Sequence, residues 1–237
     1  MARFCGTVYA HTVVEGRNPL GLRSEVQVDI NRFQPAISYA GESLKINPGM
    51  IIMDIGPGSA GRQFIDLQAS LMRRQQFVQY LTLSKGPFVN QFLMDYGREV
   101  FKKDPRLPNF DQIVKDGLFI GREDGMLSAL EAILSTPQSS GGHNNTDLVI
   151  CNGLGSANRD EFVEGLKLVP QIVKPGGHLL LGASVEGIQD EGPSFGDGWK
   201  AVSDKFATVH QITKRSGSAL LGKTTRSSFA ILQRQTA

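Results

Sequence analysis

Short apolar runs that stop at glycine or a polar residue alternate along this chain with stretches whose apolar positions recur every third or fourth residue. Met50-Ile51-Ile52-Met53, after the turn signal Pro48-Gly49, is a continuous run of the kind that fits a strand buried on both faces. Arg62 to Met72 then reads as a helix with Phe64, Leu67, Leu71 and Met72 on its inner side. Phe77 to Leu83 predicts a second strand. Pro87 opens a helix to Lys102, in which Phe88, Phe92, Tyr96 and Val100 repeat at every fourth position and Lys102 and Lys103 suit the C-terminal end.

The alternation continues through the second half. Asp104 to Asn109 reads as a loop, Leu118-Phe119-Ile120 as a short third strand and Met126 to Leu134 as a helix. Ser135 to Thr146 is polar and turn-rich, and Asp147 to Cys151 is a fourth strand ending at Asn152-Gly153. Asn158 or Asp160 caps a helix toward Val173, which Pro170 kinks or ends a turn early. His178 to Gly182 is a fifth strand, and Trp199 to Phe206 a short helix. Ala207 to Thr213 and Ser227 to Arg234 are closing strands around a polar hairpin, Lys214 to Arg226. Strands alternating with helices predict an α/β domain on a parallel sheet. Before residue 48 only Val26 to Ile30 shows strand-like alternation, and Pro19 and Pro35 break the segment into short pieces.

Composition narrows the function classes. At 237 residues the chain suits one sizeable α/β domain. Lys+Arg 25 against Asp+Glu 23 leaves a net charge of +2, so no global field favours nucleic acid or an anionic membrane. Small molecules or a protein become the expected substrates. Cys5 and Cys151 are too few for a disulfide framework and read as reduced thiols of a cytoplasmic protein. No apolar stretch is long enough for a transmembrane helix, and no cluster has metal-ligand spacing.

The chemistry sits where the first strand meets its helix. Asp54, Gly56, Gly58 and Gly61 give D-x-G-x-G-x-x-G between a strand and a helix, a turn that brings backbone N–H groups and the positive helix end close to a ligand. The glycines also fit a dinucleotide site, but a carboxylate beside a dianionic pyrophosphate is electrostatically unfavourable. A cationic sulfonium ligand suits it. This motif, together with the K-P-G-G turn of Lys174 to Gly177 before an apolar strand, about 120 residues later, resembles the class I S-adenosylmethionine-dependent methyltransferases from roughly Leu44 to Ala237.

The resemblance implies a seven-stranded, mostly parallel, doubly wound Rossmann-like sheet with an antiparallel last strand. It makes residues 1–47 an N-terminal extension, serving as lid or substrate-selecting segment, and 48–237 the methyltransferase domain. S-adenosylmethionine would be held by Asp54, Gly56, Gly58 and Gly61, and S-adenosylhomocysteine would leave. Glu123 or Asp124 matches the acid that meets adenine in the family, although Asp124 also reads as a plain acid at a helix N-terminus. Asn152 and Gly153 would line the cleft, with Asn152 holding the methyl acceptor. The second strand usually ends in an acid that binds the ribose hydroxyls; here Thr82-Leu83-Ser84 stands in that place, so Thr82 and Ser84 are the local substitutes.

Methyl transfer mainly requires positioning, and a base only where the acceptor carries a proton. His11 and Glu186 are the bases on offer beside Asn152, and no His-Asp pair is close in sequence. The expected function is methylation of a small-molecule acceptor at O or N by a soluble protein that touches neither nucleic acid nor membrane, with a homodimer as the assembly it could form. Two rivals stand beside it. A catalytically silent partner with the same fold is motivated by the missing acid at Thr82. An NADP-linked oxidoreductase would place Lys85 at a 2′-phosphate, against which Asp54 and the closing hairpin argue.

Overall fold

The computed structural model describes residues 46–57, 61–84, 87–136, 145–151, 159–186, 201–218 and 223–236. The predicted N-terminal extension up to residue 45, with His11, lies outside them, as do Gly58, His143, Asn152, Gly153, Trp199 and most of the loop after the fifth strand. The first three strands are β1 Ile51–Ile55, β2 Gln79–Leu83 and β3 Phe119–Arg122. They are joined by helices α1 Arg62–Met72, α2 Pro87–Lys102 and α3 Phe110–Lys115. Then come α4 Met126–Ser135, β4 Thr146–Cys151, α5 Arg159–Ile172, β5 Val173–Glu186, β6 Phe206–Ser218 and β7 Lys223–Arg234.

One seven-stranded sheet runs in the order β3-β2-β1-β4-β5-β7-β6. β1 to β5 are parallel neighbours, while β7 lies antiparallel between β5 and β6, as the resemblance implies. Side chains of β1 alternate between two cores. Ile52 joins Phe64 and Ile65 of α1, Phe92 and Leu93 of α2, and Phe110 and Ile113 of α3. Met53 and Ile55 join Ala129 and Leu130 of α4 and Leu166, Val169 and Ile172 of α5. Both faces of the central strands are therefore covered, which is why Met50 to Met53 and Leu148 to Cys151 read as unbroken apolar runs. The strand order reverses between β1 and β4, the crevice where open α/β sheets bind ligands.

Three local differences from the sequence pattern have physical causes. α3 was not expected from the chain's short apolar period; it is capped by Asn109, whose side chain accepts from the Asp111 N–H at 3.0 Å, and it buries Phe110 against Phe101 and Phe119. Residues 201–205 form turns instead of the helix expected up to Phe206, and they bury Val202 and Phe206 in the second core. The predicted polar hairpin is shorter than expected, because the β6–β7 ladder extends to Ser218 and Lys223 and converts much of it to strand. Among the described residues no helix is long and apolar enough to cross a membrane.

Candidate functional site

The parallel register brings the carboxyl ends of β1, β2 and β3 to one edge. Asp54 lies opposite Thr82, and Thr82 lies opposite Gly121. The sheet hydrogen bonding continues one step beyond the strands, with the Gly56 N–H donating to Leu83 O at 2.8 Å and the Ser84 N–H to Arg122 O at 3.0 Å. Gly56 then adopts φ 70°, a left-handed turn that glycine makes without strain, and the chain leaves the sheet for α1. Asp54, Gly56, Gly61, Thr82, Ser84, Glu123 and Asp124 are thus collected at a single edge. β5 runs parallel to β4, so its last residue, Glu186, ends at the same edge.

Asp54 is fully buried instead of standing open at a cleft mouth. Its Oδ2 accepts from the Tyr80 hydroxyl at 2.8 Å, and its Oδ1 has no hydrogen-bond partner among the described residues. Burial drives its carboxyl up from 3.8 to about 7, against the opposing pull of the Tyr80 bond. Burial, and then the charge and hydrogen bond of Asp54, push the Tyr80 phenol well above its ordinary value, so the proton stays on the phenol. On β4, Cys151 is a buried free thiol, raised first by burial and then by the charge of Asp54.

Gly61 opens α1, and a side chain there would meet this pair. A Cβ at Gly61 would lie 2.8 Å from the Tyr80 hydroxyl oxygen and 3.0 Å from a Leu93 methyl carbon. The last glycine of the motif therefore serves close packing of helix on strand, which is one of the roles such a glycine plays in dinucleotide folds.

The second-strand substitutes behave differently from each other. The buried Thr82 hydroxyl donates to Asn90 Oδ1 at 2.8 Å, and Asn90 Nδ2 donates to Arg122 O at 2.9 Å. Gly121 leaves the room for that amide, since a Cβ would lie 2.9 Å from Asn90 Cγ. Thr82 thus ties β2 to α2 and, through Asn90, to β3. Ser84, one residue past β2, is nearly buried at the edge itself. Glu123 is exposed, and Asp124 pairs with Arg122 at 2.8 Å, which draws it away from the simple helix-end role.

The opposite edge is built for anchorage. Asp147 Oδ2 accepts the Ile51 N–H at 2.8 Å, and Oδ1 pairs with the Lys174 ammonium. A cavity of about 560 Å³ there is lined by residues that include Met50, Asn145, Asp147 and His178. It lies across the sheet's length from the glycine turn.

Sequence reasoning missed Tyr80 as a member of the site. A usable signal was present, because a tyrosine inside a strand buried on both faces must find a partner for its hydroxyl. Only the β1–β2 register shows that the partner is Asp54.

No protein-family model matches the chain, and no curated protein matches it in sequence. Solved structures do match it in shape. A SAM-dependent methyltransferase from Methanosarcina mazei is similar at a TM-score of 0.52 and 12% identity, over 86% of this chain and 98% of that one. The N-methyltransferase NodS from Bradyrhizobium japonicum WM9 is similar at 0.52 and 12%, over 87% and 97%. The [4+2]-cyclase SpnF is similar at 0.56 and 11%, over 100% and 95%. The chain has the class I, Rossmann-like fold of S-adenosylmethionine-dependent methyltransferases.

Proposed function

We propose that this protein is an S-adenosylmethionine-dependent methyltransferase that acts on a small-molecule acceptor through an oxygen or nitrogen nucleophile. The single observation that carries the reading is the fully buried Oδ1 of Asp54, without a hydrogen-bond partner among the described residues, at the carboxyl end of β1 beside the glycine turn and the N-terminus of α1. A half-satisfied buried carboxylate is costly to the fold, and a cationic ligand is the occupant that relieves it. A pyrophosphate would add negative charge to the same place, which argues against the oxidoreductase reading.

The residues present fit the cofactor. Asp54 would receive its cationic end, Gly56 and Gly58 would let the backbone approach, and Ser84 and Glu123 are the groups at the β2 and β3 ends for its nucleoside half. Bound there, the sulfonium supplies an electrophilic methyl group with a good leaving group. The chain's own task is then to align the acceptor and keep water out. Asn152, which follows β4, is the candidate to hold the acceptor, and Glu186 or His11 the candidate to take its proton where there is one to lose.

A small-molecule acceptor is supported by the near-neutral charge balance, which provides no global field for nucleic acid. A second reading is favoured by one observation. Thr82 stands in the place of the usual ribose acid, and its hydroxyl is used up by Asn90, so the fold could persist for binding or for chemistry other than methylation. The likeness to SpnF, a [4+2]-cyclase, supports keeping that reading.

Calorimetric titration of the purified protein with S-adenosylmethionine, S-adenosylhomocysteine and NADPH separates these. Binding of the first two and not the third is expected. Binding of NADPH alone would favour the oxidoreductase, and silence with all three would overturn the cofactor assignment.

A further inference from the structure

The cofactor reading leaves Tyr80 without a stated role, yet the structure gives its hydroxyl a defined address. Across the strands Tyr80 lies opposite Ile52, and its phenol reaches two residues further along β1 to Asp54. Phe64 stacks on the ring at 5.2 Å and 24°, and Phe119 packs at 5.9 Å and 58°, so the ring is clamped on two sides. Gly61 admits the hydroxyl oxygen where any Cβ would displace it. The result is asymmetric: Oδ2 of Asp54 is occupied, and Oδ1 has no partner among the described residues.

We propose that Tyr80 is a positioning residue for the ligand-binding carboxylate. Its hydroxyl holds Oδ2 of Asp54 and thereby reserves Oδ1 as the acceptor for the cationic end of the ligand. This role rests on the S-adenosylmethionine reading given above.

The surroundings make the arrangement sensitive to pH. The titratable groups nearest Asp54 are Tyr80 on β2 and Cys151 on β4. The buried face of α1 presents Phe64, Ile65, Gln68 and Ala69, and that of α2 presents Asn90, Phe92 and Leu93, none of which ionises. Arg62 at the start of α1 lies over the Tyr96 ring, 5.5 Å from its centroid, and acts on Asp66 and Tyr96. Asp54 is therefore governed by burial, which raises its carboxyl to about 7, and by the Tyr80 bond, which lowers it. A cation at Oδ1 favours the ionised form, so binding releases a proton wherever the free protein still carries one.

The test is S-adenosylmethionine binding to the native protein and to Tyr80→Phe, measured calorimetrically from pH 6 to 9. Native affinity is expected to rise with pH through about 7, following the titration of Asp54, and to fall again as the ligand's own amino group loses its proton near about pH 8. Tyr80→Phe keeps the clamped ring, binds roughly tenfold more weakly at neutral pH, as loss of a hydrogen bond to a charged group implies, and shows its rise at higher pH. In an Asp54→Asn background the pH-dependent rise disappears, and adding Tyr80→Phe changes affinity by less than about twofold, because the charge it positions is gone. Superimposable pH profiles for native and Tyr80→Phe would overturn the positioning role while leaving the cofactor reading intact. Failure of the folded native protein to bind at every pH would overturn both.

Discussion

Two aspartates on adjacent strands, one near each end of the sheet, show what separates a site from a scaffold. Asp147 at the amino edge is satisfied on both oxygens, by the Ile51 amide and the Lys174 ammonium, and it ties β4 to β1 and to the start of β5. Asp54 at the carboxyl edge is more deeply buried, holds one phenol and, among the described residues, leaves one oxygen unmatched. Fully paired buried polar groups specify structure, whereas a half-paired one is a stored cost that a ligand can relieve. The difference lies in what each carboxylate has been given as a partner, since the residue type is the same.

The comparison predicts opposite consequences for the two substitutions. Asp54→Asn is expected to weaken S-adenosylmethionine binding by about a hundredfold, as removal of a charge partner in a buried site implies, and yet to stabilise the free protein above neutral pH. The folded state holds the Asp54 proton more tightly than the unfolded chain does, about 7 against 3.8. Stability from this group is therefore full below about pH 4, declines as pH rises to about 7 and is flat beyond, a span of up to about 4 kcal/mol. Urea denaturation at pH 5 and pH 8 checks this. An equal effect of Asp54→Asn at both pH values would remove the buried-acid account.

Asp147→Ala should destabilise by about 2 kcal/mol, chiefly through the half-buried Ile51 amide left without its acceptor, since the Lys174 partner is half exposed and contributes less. Cofactor affinity of the folded protein should stay within about twofold, as expected for distant, independent sites. A large loss of affinity would mean that the two edges are coupled and that the contrast drawn between them is false.

Gly61→Ala places a methyl group against the Tyr80 oxygen and Leu93, so a loss of roughly 1–2 kcal/mol is expected, of the size seen for overpacked cores. Near-ultraviolet circular dichroism and denaturant midpoints would report it. The smallest effect should come from Thr82→Val. It leaves the Asn90 carbonyl oxygen unmatched for about 1 kcal/mol but changes cofactor affinity by less than about twofold, because the hydroxyl serves packing. A tenfold weaker affinity would put Thr82 back at the ligand.

Much of the fold was legible because the central strands are covered on both faces, so Met50 to Met53, Leu148 to Cys151 and Leu179 to Leu181 read as apolar runs. α1 and α2 begin and end where periodicity and Pro87 put them, at Arg62–Met72 and Pro87–Lys102. α3 escaped because six residues are too few for periodicity to register, and its stability comes from Phe110 packing in the first core. The extra length of β6 and β7 escaped because polar residues gain strand structure from the pairing partner instead of from their own preference.

The sequence by itself determined the glycine turn after the first strand, the charge type placed beside it and the order in which strands and helices follow one another. It could do so because turns, helix starts and apolar periods are local properties of a few neighbouring residues. Tertiary structure alone decided that Tyr80 meets Asp54, that Thr82 is taken by Asn90 and that Asp147 is matched while Asp54 is not. Those outcomes depend on parallel register between strands 28 positions apart in the Asp54–Thr82 pairing, and on which side chains the helices press into the same space. Burial then sets the ionisation of Asp54, a quantity that no local pattern carries.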